Sequence, residues 1–178
     1  MPPGPIKVIV IGPKQTGKSC ISNYLSGQSD KLVADKYEPT AGVRILEFDI
    51  RISSSTTPLN IELWDSSGDH TYETCWKAIM QDTDGVILIY NPDAPGQEQQ
   101  LSDWYEYFVK RNGLKDSQCI IFAHKSSNSM SEKFKPPTLF SRVTAALTTS
   151  QSGNDVRGMF EEFVKELFSN KNNSSSRK

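Results

Sequence analysis

The period of the apolar residues changes repeatedly along the chain. IKVIVI (6–11) is a continuous run of strand length, and the segment from Gly17 to about Ser26 reads as a helix. A polar stretch follows to Ala41. VRILEFDIRI (43–52) and NIELW (60–64) then read as two strands separated by SSSTTP, which predicts a hairpin. DGVILIYN (84–91) is nearly all apolar, as a central strand buried on both faces should be. From Gln97, the residues Leu101, Trp104, Tyr105, Phe108 and Val109 recur at helical spacing, with Gly113 as the stop. QCIIFA (118–123) is another buried strand, and a shorter one is expected near RVTAAL, after the loop SSNSMSEKFKPP. The final helix, from about Asn154 to Phe168, carries Val156, Met159, Phe160, Phe163, Val164, Leu167 and Phe168 on one broad face.

Alternating strand and helix patterns predict an α/β fold, a parallel or mixed sheet with helices on both faces. One domain over 6–168 accounts for it, between an N-terminal tail (1–5) and a C-terminal tail (169–178) expected to be disordered. Its 178 residues suit a single core. Twenty basic and twenty-one acidic residues give a formal charge of -1, which argues against nucleic acid and anionic membranes as partners. IKVIVI is too short to span a bilayer, so a cytoplasmic location is expected. Cys20, Cys75 and Cys119 lack metal-like spacing and read as reduced, small apolar residues.

Candidate chemistry begins directly after the first strand. GPKQTGKS (Gly12–Ser19) fits the pattern G-x-x-x-x-G-K-[ST] and precedes a helix. Gly12 and Gly17 permit the tight turn in which the backbone N–H groups of Lys14, Gln15, Thr16 and Gly17 through Cys20 wrap phosphate oxygens. Lys18 would reach the terminal phosphates, and the Ser19 hydroxyl would bind the magnesium ion bridging them. Kinases, ATPases and GTPases all use such a loop.

WDSSGDH (64–70) narrows the choice. Asp65, at a strand end, suits a carboxylate that holds magnesium-bound water, and Gly68 suits a backbone N–H aimed at the terminal phosphate. Thr40, in YEPTAGV, becomes the second hydroxyl for the metal. The phosphate loop, Thr40, WDxxG and HKSS, in that order, resemble the Ras-like small GTPases, and YEPTAGV with WDSSGD is most similar to their Rab branch. The resemblance covers about residues 5–168. It implies a P-loop small GTPase fold of six mostly parallel strands and five helices, GTP or GDP with Mg2+, one switch around Thr40 and a second from Asp65 to about Met80.

Departures from the family are informative. Asp69 stands where a glutamine usually orients the attacking water, and Lys14 where the loop usually has a small residue. The base-reading Asn-Lys-x-Asp becomes His124, Lys125, Ser126 and Ser127, so reduced guanine selectivity is expected. Thr149, Ser150 and Gln151 replace the Ser-Ala-Lys segment that covers the base. The 126–137 loop is shorter than the family's helix-bearing connection, and a helix is expected to be missing there. No cysteine follows Cys119, so no prenyl anchor is expected. These departures, with PTAGVRILEFDI and CWKAIM, resemble a divergent Rab-like subgroup of intraflagellar transport proteins. That resemblance implies a subunit of the intraflagellar transport B complex in cilia or flagella, docking on the coiled-coil subunits 74 and 81.

Two functions compete on this reading. One is a binding module stabilised by nucleotide, with little or no hydrolysis and no catalytic residue. The other is a hydrolysing switch GTPase in vesicle or ciliary trafficking. A P-loop ATPase or nucleoside kinase is weaker, since no lid segment or arginine cluster is visible. His70 is read as a surface histidine rather than a substitute for the missing glutamine. Tyr72 and Trp76 are either exposed docking anchors or, for Trp76, the first apolar residue of a short helix packed under the sheet.

Overall fold

The computed structural model describes residues 4–33, 36–52, 55, 57–125 and 135–175. Six strands form one sheet: β1 (Ile6–Ile11), β2 (Val43–Ile50), β3 (Leu59–Ser66), β4 (Gly85–Tyr90), β5 (Cys119–His124) and β6 (Thr144–Thr148), in the order β2-β3-β1-β4-β5-β6. Every residue of β1, β4 and β5 is buried, which is why these strands read as unbroken apolar runs. The edge strand β2 is the only antiparallel member among those described; it alternates, burying Leu46 while Glu47 is exposed. The hairpin register sets Val43 against Ser66, Arg44 against Asp65 and Ile50 against Leu59.

Helices cover both faces, as the alternating pattern predicts. On one side, α1 (Lys18–Leu25) and α4 (Gly153–Ser175) pack Ile21, Leu25, Phe160, Phe163 and Val164 against Val8, Val10, Ile87 and Phe122. On the other, α2 (Trp76–Met80) and α3 (Gln97–Tyr105) place Trp76, Ile79, Leu101 and Trp104 against Ile9, Ile11, Val86, Leu88 and Ile121. A π-helical turn, Glu106–Lys110, continues α3 and buries Phe108 and Val109. The chain leaves β1 first towards β3 and later towards β4, so a crevice opens at the carboxyl end of β1, where ligands bind in open α/β sheets.

Several expectations are corrected. The tail expected to be disordered from residue 169 is helical through Ser175, because Lys171 donates to Asp84 Oδ2 at 2.7 Å and to the Pro5 carbonyl at 2.8 Å. Trp76 is 5% exposed, with Trp104, Tyr107 and Phe108 at ring distances of 4.7, 4.9 and 5.2 Å. Of its two readings, the core residue is the one the structure shows, whereas Tyr72 is half-buried. Cys75 is exposed rather than a small core residue, while Cys119 is buried. Ser126, Ser127 and the rest of 126–134 lie outside the described residues, so the expected loss of a helix there falls outside them too. The described chain beyond that segment holds a single 3-10 turn, Thr138–Phe140, before β6.

Candidate nucleotide-binding site

The loop between β1 and α1 is shaped by three left-handed residues. Gly12 has φ +138°, and a Cβ there would lie 2.0 Å from the Ile89 carbonyl oxygen. Gly17, with φ +85°, caps α1. Gln15 adopts φ 59° without being glycine, a conformation that costs about 1–3 kcal/mol. Such strain persists where the loop's shape is imposed by its surroundings, and here Gln97 Nε2 donates to the Lys14 carbonyl at 3.3 Å. No side chain caps the start of α1, so its first-turn N–H groups remain available to an anion.

Lys18 is 7% exposed, and its ammonium donates to the Pro13 carbonyl at 2.5 Å. Burial pushes its pKa down to about 8 against the pull of Asp65. A buried ammonium with so little compensation is a receptor for anionic oxygen. The space it faces is a cavity of about 850 Å³, lined among others by Lys14, Ser19, Thr40, Arg44, Gly68 and Asp69, and large enough for a nucleotide.

Three oxygen donors converge at its side. The Ser19 and Thr40 hydroxyls share a hydrogen bond at 2.8 Å. Asp65 is fully buried; its Oδ2 accepts from Arg44 at 3.0 Å, and its Oδ1 has no partner. Burial raises the Asp65 pKa, opposed by the Ser19 hydroxyl, Arg44 and Lys18. Two hydroxyls and a carboxylate with one orphaned oxygen fit a hard, oxygen-loving cation such as Mg2+. Ser19 and Thr40 would hold it directly and Asp65 through water, and the ion would neutralise phosphate charge.

Gly68 lies against the loop itself: a Cβ would sit 2.7 Å from the Gly12 carbonyl oxygen and from the Lys14 nitrogen. Asp69 follows, and Lys14 Nζ meets its Oδ2 at 2.7 Å while the Thr71 N–H donates to its Oδ1 at 3.0 Å. These contacts, with Lys14 foremost, lower the Asp69 pKa to about 2. His70 does not line the cavity; its ring packs on Trp76 and Trp104 at 5.2 and 5.6 Å.

On the side expected for the base, His124 is buried, with Nδ1 3.1 Å from the Thr148 hydroxyl. Burial lowers its pKa, so the ring is neutral near pH 7. Its carbon edge faces the phosphate loop, 2.6 Å from where a Cβ on Gly17 would stand. Lys125 pairs with Asp93 at 3.0 Å. Ser150 sits in the turn before α4, where Ser152 Oγ accepts from the Thr149 N–H at 3.0 Å.

The cavity therefore gathers Lys14, Gln15, Thr16, Gly17, Lys18, Ser19, Cys20, Thr40 and Gly68, with Gly12 and Asp65 behind its wall. His124 touches it through Gly17, and Lys125 and Ser150 lie outside its lining. Sequence reasoning missed Arg44, Asp93 and Gln97. Arg44 was discoverable: aligning the two hairpin strands sets it opposite Asp65.

Comparison with known proteins agrees with this geometry. A model described as the Ras of Complex, Roc, domain of DAPkinase matches residues 7–127. The intraflagellar transport protein 22 homolog of Danio rerio is 33% identical over 165 residues, covering 89% of this chain and 88% of the relative. That of Bos taurus is 35% identical over 164 residues, with 90% and 87% covered. The chain belongs to the intraflagellar transport protein 22 family of Ras-like domains. Its fold matches that of IFT22 from T. brucei in the GDP-bound crystal structure, at a TM-score of 0.73 and 25% identity over 94% of this chain and 98% of the other. IFT22 in the GTP-bound T. brucei IFT22/74/81 crystal structure has the same fold, at a TM-score of 0.79 and 24% identity over 97% and 99%.

Proposed function

We propose that this chain is a GTP-binding subunit of the intraflagellar transport B complex. It acts in the cytoplasm and in the cilium or flagellum, and bound nucleotide and Mg2+ stabilise a surface that docks on coiled-coil subunits 74 and 81. The observation that carries the nucleotide reading is the meeting of Lys18, Ser19 and Thr40 in one cavity, with the buried Asp65 behind its wall. The partners follow from the family and from the likeness to a T. brucei assembly of that composition.

Little or no hydrolysis is part of this reading. Water attacking the terminal phosphate needs a neutral amide that both donates and accepts, as the family's glutamine does. Asp69, held ionised by Lys14, only accepts. The retained Thr40, Asp65 and Gly68 would then hold the metal and sense the phosphate. A carboxylate that pairs with guanine's N–H groups supports discrimination of roughly 10⁴ to 10⁵. With serine at 127, guanine selectivity is expected to fall below that range.

Denaturing the purified protein and identifying the released nucleotide by chromatography tests the core of the proposal. Guanine nucleotide is expected; an empty or ATP-loaded protein would refute it. Fast single-turnover hydrolysis of GTP would instead establish the hydrolysing switch.

A further inference from the structure

Arg44 enters the phosphate cavity from β2, four residues beyond Thr40. Its place is fixed by the antiparallel register that sets it across from Asp65, and its guanidinium donates to Asp65 Oδ2 at 3.0 Å. The Asp65 side chain is 0% exposed and that of Arg44 39%, so the carboxylate lies on the dry side of the pair. Oδ1 is buried without a hydrogen-bond partner, an acceptor left over for water carried by a metal.

A fixed cation and a diffusible one would therefore share this carboxylate. The guanidinium is always charged, and one of its amino groups reaches a single carboxylate oxygen, Oδ2. Magnesium gives up its hydration reluctantly and is held by few protein groups. When the ion leaves, a buried carboxylate facing phosphate would be an uncompensated like charge, a costly arrangement. Arg44 removes that cost, because Asp65 stays paired. When the ion is present, Arg44 repels it and weakens its hold. We propose that Arg44 is a positioning residue that takes over, through Asp65, part of the charge-neutralising role of magnesium, so that bound guanine nucleotide is retained with little dependence on divalent cation. This rests on the nucleotide-binding function proposed above.

The test compares release of fluorescent N-methylanthraniloyl-GDP from the full chain in millimolar magnesium chloride and in excess EDTA. Wild type, Arg44→Gln and Arg44→Lys are measured, with circular dichroism as the check on folding. Removing the metal should accelerate release from the wild type by less than about tenfold, and from Arg44→Gln by at least about tenfold more than that, a difference of about 1.4 kcal/mol. Arg44→Lys, which keeps the charge on a shorter and more strongly hydrated side chain, should fall between them. A purely structural role would speed release equally in both buffers, leaving the ratio unchanged. An equal ratio for wild type and Arg44→Gln, or wild-type release accelerated roughly a hundredfold by EDTA, would overturn the role of Arg44. The wild-type measurement decides alone if Arg44→Gln fails to fold. Wild type that binds no nucleotide even with magnesium would overturn the underlying function instead.

Discussion

Gly17→Ala probes the contact that joins the loop after β1 to the buried His124 ring. At φ +85° an L-residue is strained, by about 1–2 kcal/mol in the left-handed region. The new Cβ would also lie 2.6 Å from His124 Cδ2. That ring is buried and bonded to Thr148 at 3.1 Å, so it must leave its rotamer, at about 0.5–1.5 kcal/mol, or loosen the hydrogen bond, at a similar cost. Together these terms destabilise the domain by roughly 1.5–3.5 kcal/mol, or about 3–14 °C in melting temperature for a chain of this size. The two terms separate in a double-mutant cycle. His124→Ala removes the clash but not the backbone strain, so Gly17→Ala should cost only about 1–2 kcal/mol in that background. Denaturant titration of the four proteins gives the coupling directly. Costs additive within about 0.5 kcal/mol would mean that His124 does not abut the loop, and the geometry of the base side would need rebuilding.

Asp69→Gln restores a donor-acceptor amide and frees Lys14, so single-turnover GTP hydrolysis should rise towards the roughly 10⁻⁴ per second of an unassisted small GTPase; an unchanged rate would remove Asp69 as the cause of slow turnover. Trp76→Ala empties a packed aromatic cluster and should cost about 3–5 kcal/mol, so weakened partner binding should come with a lower melting temperature; loss of binding at unchanged stability would reinstate Trp76 as an anchor. His124 titrates below the ordinary value near 6.5 when folded, so between those two values the unfolded chain binds more protons. Its contribution to stability is full above about pH 6.5 and declines as pH falls towards the folded value, a slope that urea titrations should show and that His124→Gln should flatten.

Strands were legible wherever burial on both faces made their residues uniformly apolar, as in β1, β4 and β5. The phosphate loop was legible because its glycines are forced by backbone approach, seen in the 2.0 Å that a Cβ on Gly12 would leave to Ile89. What escaped depends on residues far apart in the chain. SNKNNSS carries no apolar period, so nothing local extends α4; the anchoring of Lys171 to Asp84 spans 87 positions. Trp76 read equally well as core or surface, because one aromatic residue in a five-residue helix defines no face. Arg44 looked like an ordinary strand residue until the hairpin register put Asp65 across from it.

The two carboxylates of WDSSGDH end in opposite environments, and the difference bears on what the stretch does. Asp65 is buried, its pKa raised, with one oxygen on Arg44 and the other buried without a partner. It is placed to accept from something that arrives with donors, which a hydrated cation does. Asp69 is nearer the solvent, its pKa lowered to about 2, with one oxygen on Lys14 and the other capping the 3-10 turn His70–Cys75. Both of its oxygens are engaged, and neither carries a proton to donate. A water beside the terminal phosphate would find negative charge there in place of an amide, so charge repulsion and the missing donor both act against its attack. The Lys14–Asp69 pair instead joins the loop after β1 to the segment after β3, and both of its residues line the cavity. On the function proposed above, keeping the nucleotide preserves the docking surface, and the geometry of both carboxylates favours holding over cutting.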